Sequence, residues 1–363
     1  MKILHVINSL HIGGAEKLVA DLIPLLKQKN LDVEILLLNG EDSSLKKSLV
    51  NQSVSVFCLG AKNNVYNPFL IMRLCRYMKK YDLIHVHLFP AQYWIVLAKI
   101  LTFSKVKLVF TEHSTTNRRR EIAIFKWIDR FIYSRYNRVI AISFKATELL
   151  GIYLRKNTGI ITIQNGVHIE KYRNALKYSK IEFLKIQEDS ILITMVAGFR
   201  EAKDHETLIR SIMHLPNNYH LALVGDGIRK DFCQQLVNVM GLNERVHFLG
   251  LREDVSRILK TSDIVIMSSH YEGLSLSSIE GMASGKPFLA SDVNGLREIT
   301  EGFGVLFEVG NENDLAKKIQ FLINNPNEYN NIVEKCQNRA DEYDIKKTAE
   351  RYIEMYNDII SIS

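Results

Sequence analysis

Two carboxylates eight residues apart, Glu272 and Glu280, are the residues of this chain that most invite chemistry. They lie in HYEGLSLSSIEGMASGKPFLASDVNGLREI, residues 270–299, behind an apolar run at 263–267 that reads as a buried strand. A glycine-containing loop carrying Glu272 then leads into 275–283, which reads as a helix with Glu280 inside it. A strand–loop–helix passage points backbone N–H groups above the sheet, and the helix dipole adds positive character. A diphosphate fits such a place, and flanking carboxylates suit the hydroxyls of sugars. A helical glutamate usually faces water. Glu280, however, is set among Ser277, Ser278, Ile279, Gly281, Met282 and Ala283, and a carboxylate buried there wants partners such as ribose hydroxyls.

Other strand ends supply complementary groups. Arg200 and Lys203 follow the apolar run 191–197, where a loop meets a helix. Cations there can neutralise a departing diphosphate, although a solvated loop would carry the same residues. Gly225, after Val224, and Leu251 with Arg252, after Gly250, would form the wall for a nucleoside, with backbone groups around Leu251 and Arg252 reading the base. Near the N-terminus, Gly13 and Gly14 let backbone approach a ligand, or simply permit a tight turn. The pattern is not GxGxxG, and no acidic residue is placed for a dinucleotide. His85 and His87 share one face of a strand with no acidic partner near in sequence, which argues against a metal. His113, after Glu112, should emerge at a strand's carboxyl end facing a ligand cleft, or cap that strand.

These residues need a frame of alternating strands and helices. Strand patterns fall at 3–7, 33–38, 54–59, 83–87, 107–111, 139–142 and 160–163, then at 191–197, 220–224, 246–249, 264–267 and 287–290. Helical patterns fit between them, among them 15–29, 68–79, 91–101 and 121–136. Consecutive apolar positions in several strands suit a parallel sheet covered on both faces. At 363 residues the chain suits two domains. The expected architecture is a pair of doubly wound α/β domains, 1–175 and 185–344, facing each other across a cleft. A C-terminal amphipathic helix within 345–363 returns to the first domain.

Composition narrows the class. A hydrophobic fraction of 47% and a charged fraction of 24% are those of a soluble globular protein. No transmembrane run or signal peptide is evident, and the four cysteines lack pairing or ligand spacing, so a cytoplasmic location is expected. Residues 1–180 hold 28 Lys+Arg against 12 Asp+Glu, a net of +16, whereas 181–363 carry a net of −9. The basic half is suited to an anionic surface or substrate.

Together, GGAE at 13–16, Thr111-Glu112-His113, Asn165-Gly166-Val167, the Arg200/Lys203 loop and Glu272 with Glu280 ahead of GMASGKPFLASDVNGLREI resemble the family-4 retaining glycosyltransferases of GT-B fold. The resemblance spans essentially the whole chain, and the two-glutamate block is its specific part. It implies transfer of a sugar from a nucleotide diphosphate sugar with retention and without an obligatory metal or other cofactor. By resemblance, Glu280 holds the ribose and Glu272 the transferred sugar. The backbone of Gly273, Leu274, Ser275 and Leu276 binds the diphosphate with Arg200 and Lys203. Gly14 lies close to the donor phosphates, and His113 lies beside the sugar. Retention is then explained by front-face attack, with Glu272 as a covalent nucleophile the alternative. Two departures stand out: the family often has Arg where this chain has Gly198, and its NGVD ends here in His168.

Acceptors in this fold bind the N-terminal domain. Arg118, Arg119 and Arg120 precede the helical pattern 121–136, which carries Phe125, Trp127, Ile128, Phe131 and Ile132 among Lys126, Arg130 and Arg135. That mixture suits an anionic membrane surface and a lipid-linked glycan acceptor, or equally a core helix with a solvated basic face. Rival functions are a sugar-nucleotide epimerase of the same fold, a non-catalytic sugar-nucleotide-binding partner, and a nucleic-acid binder. A sequence pI near 9.0 suggests the last, but no reading module is present and the second half is acidic.

Overall fold

The computed structural model of the chain describes residues 1–11, 13–62, 64–113, 120, 122–155 and 159–361. Arg118, Arg119 and Glu121, named above, lie outside them, as do Ile12 within the first glycine loop and residues 362–363. The chain divides into two compact units, Met1–Gly166 with Ile345–Ser363, and Val167–Asp344.

Unit 1 is built on seven strands: β1 (Lys2–Ile7), β2 (Asp32–Leu37), β3 (Val56–Cys58), β4 (Leu83–His87), β5 (Lys107–Glu112), β6 (Arg138–Ala141) and β7 (Ile160–Thr162). They lie in the order β3-β2-β1-β4-β5-β6-β7, and every pairing is parallel. The order reverses between β1 and β4, which creates a crevice above their carboxyl ends. β4 is buried along its whole length and β1 almost so, which accounts for their aliphatic residues, interrupted by the buried His5, His85 and His87. The helix Ile345–Ser361 packs on the same unit: Ile345, Ala349, Tyr352, Tyr356 and Ile359 join one core with Leu18, Leu22 and Leu26 of the helix Gly14–Gln28.

Unit 2 has six strands: β8 (Ile191–Val196), β9 (Tyr219–Val224), β10 (Val246–Gly250), β11 (Ile264–Met267), β12 (Phe288–Ser291) and β13 (Val305–Phe307). Their order is β10-β9-β8-β11-β12-β13, again all parallel, with the reversal between β8 and β11. The last strand was absent from the sequence pattern. It is three residues long and opens behind Gly302 and Gly304, too short to show a period.

Residues 167–185, which the sequence reading leaves in the first domain or between the two, fold inside unit 2. Lys180 Nζ donates to Ser190 O at 2.6 Å and to Asp263 Oδ2 at 2.7 Å, and Tyr178 N donates to Thr261 Oγ1 at 2.8 Å. Lys180 thus pins the segment to the sheet, whereas Lys177 and Lys185 are exposed. No helix among the described residues is long and apolar enough to cross a membrane.

Candidate active site

In unit 2 the parallel pairing of β8 with β11 brings their two carboxyl-end loops side by side. Backbone bonds stitch them together: Asp204 N donates to Ser268 O at 3.1 Å, His270 N to Ala202 O at 2.9 Å, and Ser269 Oγ to Ala202 O at 2.7 Å. Asp204 also caps the following helix, His205–Ser211, by accepting from Thr207 N. The loop holding Lys203 is therefore fixed at both ends. Its ammonium forms an ion pair with the Glu272 carboxylate and lies 3.5 Å from Met267 Sδ.

Both side chains of that pair are largely buried. Burial, aided by the nearby Arg200 charge, pulls the Lys203 ammonium down to about 8, while the touching carboxylate favours the cation. Arg200 is exposed at the start of the same loop, with no ion pair among the described residues. A cation desolvated beside a carboxylate and next to a second, solvated cation suits a dianionic ligand.

The helix Leu276–Ala283 starts directly above this pair in sequence. Ser275 is its N-cap and accepts from Ser278 N, so the amides of Leu276 and Ser277 open the first turn, which contains no acidic residue. Glu280, in the second turn, is only 4% exposed, so the surface reading of this glutamate is set aside. The Glu272–Gly273 peptide is held from behind. A Cβ at Gly295 would meet Glu272 O at 2.4 Å and Gly273 O at 2.6 Å, and Gly295 has φ +82°. Gly295 lies within the 270–299 motif, where no local pattern marks it, and the loop it backs explains its place there.

Gly225 and Leu251 lie at the ends of β9 and β10. Gly225 has φ +144°, and a Cβ there would come within 2.1 Å of Ala197 O, so its absent side chain lets β9 close on β8. Leu251 is 59% exposed beside Arg252, whose guanidinium forms a two-bond pair with Asp254 (2.8 and 2.6 Å). Arg252 is thus tied to its own loop, and the exposed Leu251 is the freer of the two.

In unit 1, Gly14 opens the helix Gly14–Gln28, and a Cβ there would meet nothing within 4 Å. Open space at a helix start leaves room for a ligand or for water. His113 follows β5, and its Nε2 lies 3.0 Å from His87 Nδ1. Behind them His87, His5 and His85 are buried, with ring atoms of His5, His85 and His87 within 4.8 Å of one another. Sequence spacing placed His85 and His87 on one face; His5, from the neighbouring strand β1, completes the group. Glu112, next to His113, accepts from Arg120 Nη2 at 2.9 Å and from Tyr133 OH at 2.7 Å.

Two parallel-sheet α/β units, each with its polar residues at the carboxyl edge, define a protein of GT-B fold, and residues 178–339 match the family model of glycosyl transferases group 1. Residues 12–171 match that of glycosyltransferase family 4, and the chain belongs to the family-4 glycosyltransferases. It is 27% identical over 290 residues to the N-acetyl-alpha-D-glucosaminyl L-malate synthase of Bacillus anthracis, covering 77% of this chain and 75% of that one. It is 24% identical to the UDP-Gal:alpha-D-GlcNAc-diphosphoundecaprenol alpha-1,3-galactosyltransferase of Escherichia coli, covering 99% and 97%. Among solved structures, HepE of Anabaena in complex with UDP and glucose superposes with a TM-score of 0.84 at 22% identity, covering 98% and 99%.

Proposed function

We propose that this glycosyltransferase moves a hexosyl or N-acetylhexosaminyl unit from a nucleotide diphosphate sugar, with uridine as the base, to a glycan or lipid-linked glycan in cell-surface polysaccharide synthesis. The observation that carries this reading is the Lys203–Glu272 pair beside the acid-free start of the helix Leu276–Ala283. That arrangement offers amides and cations to a diphosphate and carboxylates to sugar hydroxyls. Relatives that act on diphosphoundecaprenol-linked sugars, and a structural neighbour holding UDP and glucose, support the substrate classes.

Glu272 is engaged by Lys203, which favours a role in binding over one as a free nucleophile. In front-face transfer the bond from C1 to the phosphate oxygen breaks while the acceptor oxygen bonds to C1 on the same face. The departing phosphate oxygen takes the acceptor proton, so the configuration at C1 is retained and no protein base is consumed. Arg200 and Lys203 stabilise the charge gathering on the diphosphate, and no metal is required.

The helix Ala123–Tyr133 supports action at an anionic membrane surface. Trp127 is 73% exposed, with Ile124, Ile128 and Phe131 also exposed, and Arg130 and Arg135 stack on Trp127 and Phe131. Its buried residues are instead Asp129, Ile132 and Tyr133, so most of its apolar side chains are not core.

A panel of radiolabelled nucleotide sugars offered with polyprenyl-diphosphate-linked acceptors, with and without a chelator, tests the whole reading. Transfer unaffected by chelation, with an anomer matching the donor, is expected. An inverted product would refute retention, chelator-sensitive transfer would refute metal independence, and epimer formation without acceptor would favour the epimerase. Flotation with anionic vesicles tests the surface; binding indifferent to salt or absent would refute it.

A further inference from the structure

A cavity of about 500 Å³ opens at the amino edge of the unit 1 sheet. Asp82, just ahead of β4, and Lys107, the first residue of β5, line it. The loops that carry Gly14 and His113 leave from the opposite edge, and β4 alone, five residues long, spans about 16 Å between the two. The walls hold three lysines, Lys79, Lys105 and Lys107, and one carboxylate, Asp82, a net of +2. None of the three lysines has an ion pair among the described residues, and Asp82 Oδ2 already accepts from Lys2 N at 2.7 Å. Burial, then the charges of Lys107 and Arg135, lower the nearby Lys99 ammonium from its ordinary value, so the positive field here is not compensated.

Phe103 also lines the cavity. It ends the helix Ala91–Thr102 in the left-handed region, at φ +49°, and is 91% exposed. Phe103 N donates to Ile100 O and Ser104 N to Lys99 O, both at 3.2 Å, a helix ending that normally places glycine where the phenylalanine stands. The apolar contact that usually accompanies such an ending is missing, since its two partners here are Ser104 and Lys99. The fold thus carries strained backbone to hold a bare aromatic ring at the mouth of a basic cavity, and strain of this kind gathers at ligand clamps. The rim is also fixed: Ser104 Oγ donates to Met78 O and accepts from Val106 N, the latter at 3.2 Å.

We propose that this cavity is a second ligand site, for a phosphate monoester carrying an apolar group. Lys79, Lys105 and Lys107 hold the phosphate as point charges, and Phe103, Met78, Val106 and Ile360 pack against the apolar part. A volume of about 500 Å³ falls within the roughly 300–1,000 Å³ of small-ligand pockets. Three ammoniums around one space match a dianion better than a single carboxylate. The phenyl ring and its aliphatic neighbours ask for more than inorganic phosphate. A free metabolite and the headgroup of phosphatidic acid offer the same chemistry. The site belongs to unit 1 alone and does not rest on the donor reading given above.

Calorimetric titration of the full-length protein, saturated with uridine diphosphate, against phenyl phosphate and inorganic phosphate tests the site. Phenyl phosphate should bind about tenfold more tightly than inorganic phosphate. Lys79→Gln combined with Lys105→Gln should weaken it about tenfold or more. Phe103→Gly should weaken it about tenfold and, by relieving the backbone, raise the melting midpoint by about 2–4 °C. Flotation with phosphatidylcholine vesicles, with and without phosphatidic acid, separates the two sources. Loss of the phosphatidic-acid-dependent part in the same variants identifies the lipid; unchanged flotation alongside weakened phenyl phosphate identifies a free ester. Phenyl phosphate that binds no better than inorganic phosphate, or equally in every variant, together with unchanged flotation, would overturn the proposal. So would a lower melting midpoint in Phe103→Gly, which would make the ring a packing residue. A matching loss of uridine diphosphate affinity in the variants would make the cavity part of the donor site and overturn it as well.

Discussion

Gly295→Ala separates the consequences of strain from those of contact at the Glu272 loop. Two glycines of unit 2 share nearly the same backbone sign and angle, Gly295 at φ +82° and Gly302 at φ +80°. An added methyl at Gly302 meets nothing within 4 Å, so its cost is the backbone strain alone, about 1–2 kcal/mol. At Gly295 the same methyl collides with the carbonyl oxygens of Glu272 and Gly273. Relieving such an overlap adds about 1–3 kcal/mol, for roughly 4 kcal/mol in all. In a domain of this size that lowers the unfolding midpoint by roughly 8–16 °C, against roughly 2–8 °C for Gly302→Ala. The loop can escape the methyl only by moving Glu272 away from Lys203. Calorimetric titration with uridine diphosphate should therefore show affinity reduced about tenfold or more in Gly295→Ala and unchanged in Gly302→Ala. Equal stability loss in the two variants, or wild-type affinity in Gly295→Ala, would refute the claim that Gly295 supports the loop.

Lys203→Met should cut kcat by roughly a hundred- to a thousandfold, the usual cost of one group opposite developing charge; steady-state rates within threefold of wild type would remove it from leaving-group stabilisation. Glu280→Ala should weaken donor binding by about 1–3 kcal/mol, read by titration, and unchanged affinity would sink the ribose assignment. Acid should destabilise unit 1. His113 and His5 have folded values of about 4 and about 3, below the unfolded value of 6.5, so the unfolded chain binds more protons as pH falls through 6.5. The stability present above 6.5 should drain away down to about 3, followed by hydrogen exchange in β1 and β4; protection constant across that range would contradict it.

Much of the frame was legible because parallel strands buried on both faces are largely apolar at consecutive positions, as in β8 and β11. Glu272, Lys203 and Glu280 were legible as residues because each follows a strand. Their pairing was not: Lys203 and Glu272 meet only because β8 and β11 are neighbours at the reversal of strand order, which no local pattern encodes. The histidine group shows the same limit. Period-two spacing revealed His85 and His87, but His5 and the tyrosines arrive from another strand and from a helix at the far end of the chain. Burial of Glu280 and exposure of Trp127 likewise depend on which face the tertiary packing covers.

The helix Ile345–Ser361 has a consequence for the order in which the protein is made. Synthesis proceeds from the N-terminus and domains generally fold as they emerge. Unit 1 is an exception to its own position, because its core and the tyrosines facing His5 and His85 are supplied by residues translated after all of unit 2. Until then those imidazoles sit in a half-built interior with unfilled bonds. A chain released before this helix would contain every residue of the Lys203–Glu272 pair and still lack a finished unit 1, so synthesis of the helix, after all of unit 2, is what completes a unit whose strands are made before unit 2.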